Sequence, residues 1–295
     1  MKIYLENVNL GSSNGPNSFA KKLVPKLKSL GHEIASRNDA EVGLCFIESP
    51  AIKHKFPRIQ RLDGIYYNTR FNYEAQNRNI KRTYEKSDGV IYQSEYGKRL
   101  ITAFFGEHKN GKVIHNGADL ESIKEAPPMK NEIEGRKIWS CAASWRPHKR
   151  LGENIRYFLE HKGGADILIV AGETQPIVKD SSIFYMGNLT QNQLYSLYKA
   201  SEYFLHLGYL DCCPNVVVDA RACGSKVVCT TSGGTQEIAG PDAIVIQEEE
   251  WNFEPIDLYD PPKINFENKL DNPYNVGYNI DMVAKEYSDF MGLFL

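Results

Sequence analysis

Two aspartates eight positions apart, Asp211 and Asp219, are the first residues in this chain on which a chemistry can be built. Asp211 opens the polar break Asp211-Cys-Cys-Pro-Asn, whereas Asp219 sits among Val216, Val217, Val218 and Ala220. A carboxylate in so apolar a run needs a partner, because an unpaired buried charge is costly. Ribose hydroxyls would serve, and so would the neighbouring Arg221, and spacing does not choose between a ligand and a structural ion pair. Upstream, Arg146-Pro-His-Lys149-Arg150 gathers three cations that a diphosphate could neutralise. A basic turn arising by chance is the other reading of that cluster.

The elements around these residues read as strand, loop and helix, twice over. A strand from Tyr203 to Leu210 runs into the Asp211 break, and a short helix follows to Gly224. A second strand, Lys226 to Thr230, leads through Ser232-Gly233-Gly234 to a new helical start at Thr235. The cation cluster likewise follows a strand, Lys137 to Ser144, and precedes a helix from Leu151 to His161. In a parallel sheet such loops lie beyond the carboxyl ends of the strands, where ligands bind. Helix amino termini aimed there carry free N–H groups and partial positive charge suited to phosphate.

The run from Asp211 through Asp219 to Gly224-Ser-Lys-Val-Val resembles the acid-x7-acid signature of the family 4 glycosyltransferases, a large family of retaining enzymes. That resemblance implies an α/β fold of two doubly wound Rossmann-like domains facing across a cleft (GT-B). It also implies that Asp211 holds sugar hydroxyls of a donor and Asp219 the ribose of its nucleotide. The family acids are usually glutamates, so both reaches are shortened here by one methylene. The frequent Gly-Phe-Gly is replaced by Cys212-Cys213-Pro214, and Pro214 brings no N–H to a donor site that would include Asn215 and Val216. The family's Arg-x4-Lys pair holds the donor pyrophosphate. If Lys149 is its lysine, Ser144 falls at the arginine position, Arg146 becomes the expected substitute and Arg150 a reserve. Gly233-Gly234-Thr235-Gln236-Glu237 is similar to the Gly-Gly-x-x-Glu that packs against donor sugar and diphosphate; Glu237 could instead sit simply in a first helical turn, where acids are favoured. The strand from Ala165 to Ala171 ends at Gly172, another expected donor-side residue. The capped start Leu189-Thr190-Gln191 would border the base.

The first half carries the expected acceptor side. A strand, Lys2 to Leu5, is followed by a loop with Gly15, Pro16 and Asn17 and by an amphipathic helix from about Ser18 to Leu30. A polar loop that caps a helix can receive a phosphate or an acceptor. Gly15-Pro-Asn-Ser-Phe with Leu30-Gly-His-Glu-Ile resembles the family's first loop and helix. After a strand from Glu41 to Ile47, Arg61 and Asp63 flank one apolar residue, so on a strand end both could face one cleft. Asp63 is the candidate for orienting an acceptor hydroxyl; an Arg/Asp ion pair at a turn is the alternative. A helix from Tyr73 to Ser87 and a strand from Gly89 to Tyr92 follow. Asn116-Gly117-Ala-Asp119 resembles the family hinge, and Glu121 to Arg136 fits a linker. The expected domains are therefore 1–118 and 119–275, with a final helix, 276–295, crossing back to the first.

At 295 residues and 42% hydrophobic, the chain is long enough for two modest cores. Its net charge of −2 conceals an asymmetry: residues 1–117 hold 19 Lys and Arg against 11 Asp and Glu, and the remainder 16 against 26. A basic half suits an anionic membrane surface, a lipid-linked phosphate or an acidic glycan, and equally a plain solvated lysine face. The six cysteines show no zinc spacing and read as reduced, packed thiols. No signal peptide or membrane span is apparent, so the expected location is cytoplasmic, with at most peripheral membrane contact. The combined expectation is a retaining glycosyltransferase. It would move a sugar from a nucleotide diphosphate to a hydroxyl of a glycan or lipid-linked glycan, forming an α-linkage. No metal is expected, since no Asp-x-Asp pair appears in the right setting, and neither a cofactor nor a nucleic acid is expected. A non-catalytic nucleotide-sugar-binding or scaffold subunit is the alternative, and slow donor hydrolysis would separate the two. A dehydrogenase is disfavoured because G-x-G-x-x-G is missing.

Overall fold

The computed structural model describes residues 1–12, 14–50, 55–131 and 134–295. The chain divides into two compact units: Met1–Gly117 with Phe253–Ile256 and Gly277–Leu295, and Ala118–Asn252 with Asp257–Val276.

In the first unit, β1 (Lys2–Glu6), β2 (Glu33–Ile34), β3 (Val42–Phe46), β4 (Arg58–Leu62), β5 (Gly89–Tyr92) and β6 (Gly111–Val113) form one sheet. The order is β2-β1-β3-β4-β5-β6, and every pairing is parallel. Between them lie α1 (Gly15–Ser29), α2 (Tyr73–Lys86) and α3 (Glu95–Phe105). Helix α1 begins three residues before the expected Ser18. Asn14 caps it by accepting from Asn17 N at 3.0 Å, and Pro16 is tolerated in a first turn. Phe19, Leu23 and Leu27 form its fully buried stripe. Helix α3, not anticipated from the sequence, is capped by Ser94 Oγ, which accepts from Gly97 N at 2.9 Å.

The second unit contains α4 (Leu120–Glu125), β7 (Ile138–Ala142), a 3-10 turn (Pro147–Lys149), α5 (Leu151–His161), β8 (Ile167–Ala171), β9 (Ile183–Gly187), α6 (Gln191–Ala200), β10 (Ser201–His206), α7 (Asn215–Ala222), β11 (Lys226–Thr230), α8 (Thr235–Ile238), β12 (Ile244–Ile246) and β13 (Lys269–Leu270). Its sheet runs β13-β12-β11-β10-β7-β8-β9, parallel except for β12 against β13. Strand β7 is buried along its length, as expected where helices cover both faces. From β7 the chain steps outward to β8 and β9, then returns to β10 on the other side. The order therefore reverses between β7 and β10, which is where open parallel sheets bind ligands.

Two sequence expectations are corrected here. The segment from Glu121 to Arg136 is not a bare linker. Asp119 caps α4, accepting from Ser122 N and Oγ, and the following backbone is tied to α6 by Lys199 Nζ to Ala126 O and Met129 N to Ser196 O. Strand β10 stops at His206 rather than Leu210, because Tyr209 N turns away to bond His148 O at 2.7 Å.

Helix α9 (Ile280–Gly292) closes the chain and belongs to the first unit. Its stripe of Ile280, Val283, Ala284, Tyr287, Phe290 and Met291 completes the core formed by β1, β3, β4 and α1. Each large side chain so buried contributes about 1.5–3 kcal/mol.

Candidate functional site

Three loops of the second unit are tied together at the β7/β10 switch. Asn154, on α5 and 1% exposed, donates from Nδ2 to Lys149 O and Arg150 O, while its Oδ1 accepts from Leu207 N at 3.1 Å. One buried amide thus braces the loop after β7 against the loop after β10. The loop after β11 joins through Leu210 N to Ser232 Oγ, 3.1 Å, and Gly234 N to Asp211 O, 2.7 Å. Leu210 is left-handed at φ 56°, a conformation costing about 1–2 kcal/mol for a residue with a Cβ. It turns the chain sharply just before Asp211. Gly233, at φ 89°, lies so close that a Cβ there would meet Asp211 O at 2.5 Å. Glycine is required at that position by space and by backbone angle.

The charged groups meet inside this frame. Lys149 Nζ, 19% exposed, pairs with Asp211 Oδ2, 16% exposed. The same oxygen accepts from His206 Nε2 at 3.0 Å. Burial alone would raise the Asp211 carboxyl, but the Lys149 charge and the His206 bond overcome it and hold the group well below the usual carboxylate range. Burial lowers His206, so its ring is neutral, and because a carboxylate only accepts, Nε2 carries the proton. His148 is also held neutral: burial, then the Lys149 charge, push it down to about 4. Its Nδ1 is buried without a partner among the described residues, and its ring stacks on Tyr259 with centroids 5.8 Å apart.

The remaining expected residues divide. Arg146 is exposed and makes no ion pair among the described residues. Arg150 does not serve as a reserve cation for a ligand. It is 4% exposed, left-handed at φ 49°, and locked two-pronged to Glu248 at 2.9 and 2.8 Å, with a further bond to Pro262 O. Pro214 caps α7 without a side-chain bond, and Asn215 and Val216 form its first turn. Asp219, 3% exposed, accepts from Gln191 Nε2 at 3.2 Å. Arg221 donates to the backbone of Ile238 and Val276 and to Asn275. Thr235 and Glu237 are buried in the short α8, and Thr235 Oγ1 has no hydrogen-bond partner among the described residues. Gly172 is needed for close approach, since a Cβ would lie 2.0 Å from Ala143 O, and Trp145 Nε1 bonds Ala171 O beside it.

In the first unit Arg61 is fully buried, its guanidinium lying over Phe19 and Phe46 at 4.2 and 4.9 Å. It donates to Tyr287 OH at 3.0 Å and Asn116 Oδ1 at 2.8 Å, and pairs with Asp63. So enclosed, Arg61 cannot itself meet an acceptor; it holds Asp63, which is 20% exposed. Asn17 also turns inward, 7% exposed, accepting from Asn9 N at 2.8 Å and thereby shaping the first loop. Gly15 and Pro16 open α1, and a Cβ on Gly15 would meet nothing within 4 Å.

His206, Asn154 and Glu248 were not singled out from sequence, whereas Gln191, expected at a capped helix start bordering the base, is the residue that bonds Asp219. His206 alone left a signal, as the one imidazole interrupting the apolar run before Asp211. All six cysteines are free thiols; burial pushes Cys229 up to about 12 and raises Cys45, Cys141 and Cys212 as well, which makes these four poor nucleophiles.

By sequence, no family model and no curated protein matches the chain. By structure, many solved proteins do. HepE of Anabaena, solved with UDP-glucose, is 12% identical with a TM-score of 0.70, over 99% of this chain and 100% of its own. WaaG, a glycosyltransferase involved in lipopolysaccharide biosynthesis, is 12% identical with a TM-score of 0.64, over 100% and 96%. Sucrose-phosphate synthase of Thermosynechococcus elongatus is 12% identical with a TM-score of 0.67, over 84% and 86%. The chain therefore has the two-domain α/β fold of the GT-B glycosyltransferases.

Proposed function

We propose that the protein is a retaining glycosyltransferase that moves a sugar from a nucleotide diphosphate to a hydroxyl of a glycan or lipid-linked acceptor, forming an α-linkage without a metal. The observation that carries this reading is the meeting of Lys149 and Asp211 at the strand-order reversal, backed by Gly233 and Gly234. A phosphate-seeking cation and a hydroxyl-seeking carboxylate are thereby set side by side on a rigid floor.

In this reading the diphosphate gathers negative charge as the sugar–phosphate bond breaks, and Lys149 and the exposed Arg146 stabilise it. Lys149 exchanges Asp211 for the diphosphate, and Asp211 then accepts from a hydroxyl of the donor sugar. Asp219 takes the ribose hydroxyls in place of Gln191. Asp63 orients the acceptor hydroxyl. The leaving phosphate oxygen takes that hydroxyl's proton, and the new bond forms on the face the diphosphate leaves, so no protein nucleophile is needed.

HepE was solved with UDP and UDP-glucose, which makes UDP-glucose the first donor to try. The basic first half favours an anionic acceptor or membrane surface. Among the described residues no helix is long and apolar enough to cross a membrane. The test is proton NMR of UDP-glucose during slow hydrolysis without acceptor. Release of α-glucose ahead of mutarotation supports a retaining transferase. Release of β-glucose contradicts retention, and binding without any hydrolysis favours the non-catalytic subunit.

A further inference from the structure

We infer that His206 is a positioning residue for the donor sugar, compensating for the shortened first acid. The inference rests on the donor-site reading of Asp211 and extends it to a residue outside the acid and cation motifs. Both side-chain donors to Asp211, Lys149 Nζ and His206 Nε2, converge on one oxygen, Oδ2. Oδ1 has no donor among the described residues, and a carboxylate oxygen can accept more than one hydrogen bond. The arrangement therefore fixes the carboxylate by one oxygen and presents the other.

The two donors have different futures when a nucleotide diphosphate arrives. Lys149 is a mobile ammonium that a diphosphate would draw away. His206 is neutral and rigid. It ends β10, is 5% exposed, and its ring lies nearly parallel to Phe204 at 11°. Gly208 keeps space beside it, since a Cβ there would come within 3.1 Å of Nε2. A neutral N–H does not compete for phosphate, so it retains Asp211 after Lys149 has turned. A glutamate would reach one methylene further into the site. With aspartate the reach is short, and the direction of the carboxylate must be set from behind.

The experiment compares wild type with His206→Phe, which keeps a buried ring but donates nothing, and His206→Gln, which restores an N–H at similar reach. Affinities for UDP and for UDP-glucose are measured by calorimetry and donor hydrolysis by kcat and KM, on variants whose thermal unfolding remains cooperative. His206→Phe is expected to keep UDP affinity within about twofold but to lose UDP-glucose hydrolysis by about tenfold, the scale of one hydrogen bond to a charged group. His206→Gln should recover most of that loss. Adding Asp211→Glu to His206→Phe should also recover it, and His206→Leu, which is smaller and likewise donates nothing, serves if the aromatic substitution unfolds the protein. Equal loss of UDP and UDP-glucose binding would mean a merely structural role, and no loss of either would leave His206 irrelevant; each overturns the inference. If wild-type protein binds neither probe, the donor-site reading itself fails.

Discussion

Lys149, from the turn after β7, meets Oδ2 of Asp211, from the loop after β10, and the pair bridges the point at which the second sheet reverses its strand order. Sequence distance between the two is large, yet parallel topology makes their loops neighbours. The electrostatics of the pair give a first prediction. The Asp211 carboxyl is depressed in the folded protein, so its stabilising contribution is fully present above the ordinary aspartate value of about 4 and is lost as pH falls toward the folded value. Urea unfolding of wild type and Asp211→Asn should differ by a constant amount from pH 8 to about 5 and converge below about 4. A gap that widens in acid would contradict the pairing.

His148 makes a prediction in a different window. Its folded value is lowered to about 4, against an ordinary value of about 6.5, so the unfolded chain binds a proton that the folded chain refuses. Stability from this group is present above about 6.5 and falls with acid at up to about 1.4 kcal/mol per pH unit. His148→Phe keeps the stack on Tyr259 and should flatten the slope between pH 6.5 and 5 by one proton. The remaining histidine slope belongs to His206 and His32, which burial lowers in the same direction.

The side chains of Arg150 and Glu248 are 2% and 7% exposed, and their two-pronged bond is a structural tie. Glu248→Ala strands a buried guanidinium and is expected to cost about 3–5 kcal/mol in chemical denaturation. Replacing both residues with Met and Leu should cost less than the single change. A loss below about 1 kcal/mol for Glu248→Ala would show that the pair is screened like a surface bridge.

Much of this architecture was legible in the sequence. Strand β11 and helix α5 match their hydrophobic patterns residue for residue, since Lys226 to Thr230 and Leu151 to His161 carry clear periodicity and breaks. Asp211, Lys149 and Gly233 could be nominated from their loops. The burial of Arg150 could not, because its partner Glu248 lies in a charged run, Glu248 to Glu250, that reads as solvated. Arg61 misled for a related reason: the residues that enclose it, Phe19, Phe46, Asn116 and Tyr287, come from four separate stretches. Local spacing reports which side chains share a loop, whereas enclosure is decided by long-range packing.

Thr235 Oγ1, beside the Gly233-Gly234 turn, is buried without a hydrogen-bond partner among the described residues. An unsatisfied buried hydroxyl costs about 1–3 kcal/mol, so Thr235→Val should leave stability unchanged or raise it. If that hydroxyl serves the donor diphosphate, the same variant should bind UDP several-fold more weakly. Higher stability with unaltered UDP affinity would assign the hydroxyl no ligand role.

The central claim is tested most directly by calorimetric titration of UDP-glucose, GDP-glucose and ADP-glucose into wild type, Lys149→Ala and Asp219→Ala. The account predicts that one nucleotide sugar binds wild type and binds each variant at least about tenfold more weakly, as expected for loss of a charge-assisted contact. If none of the three binds wild type, or if one binds all three proteins equally, the meeting of Lys149 and Asp211 is an ion pair of the fold and not a donor site.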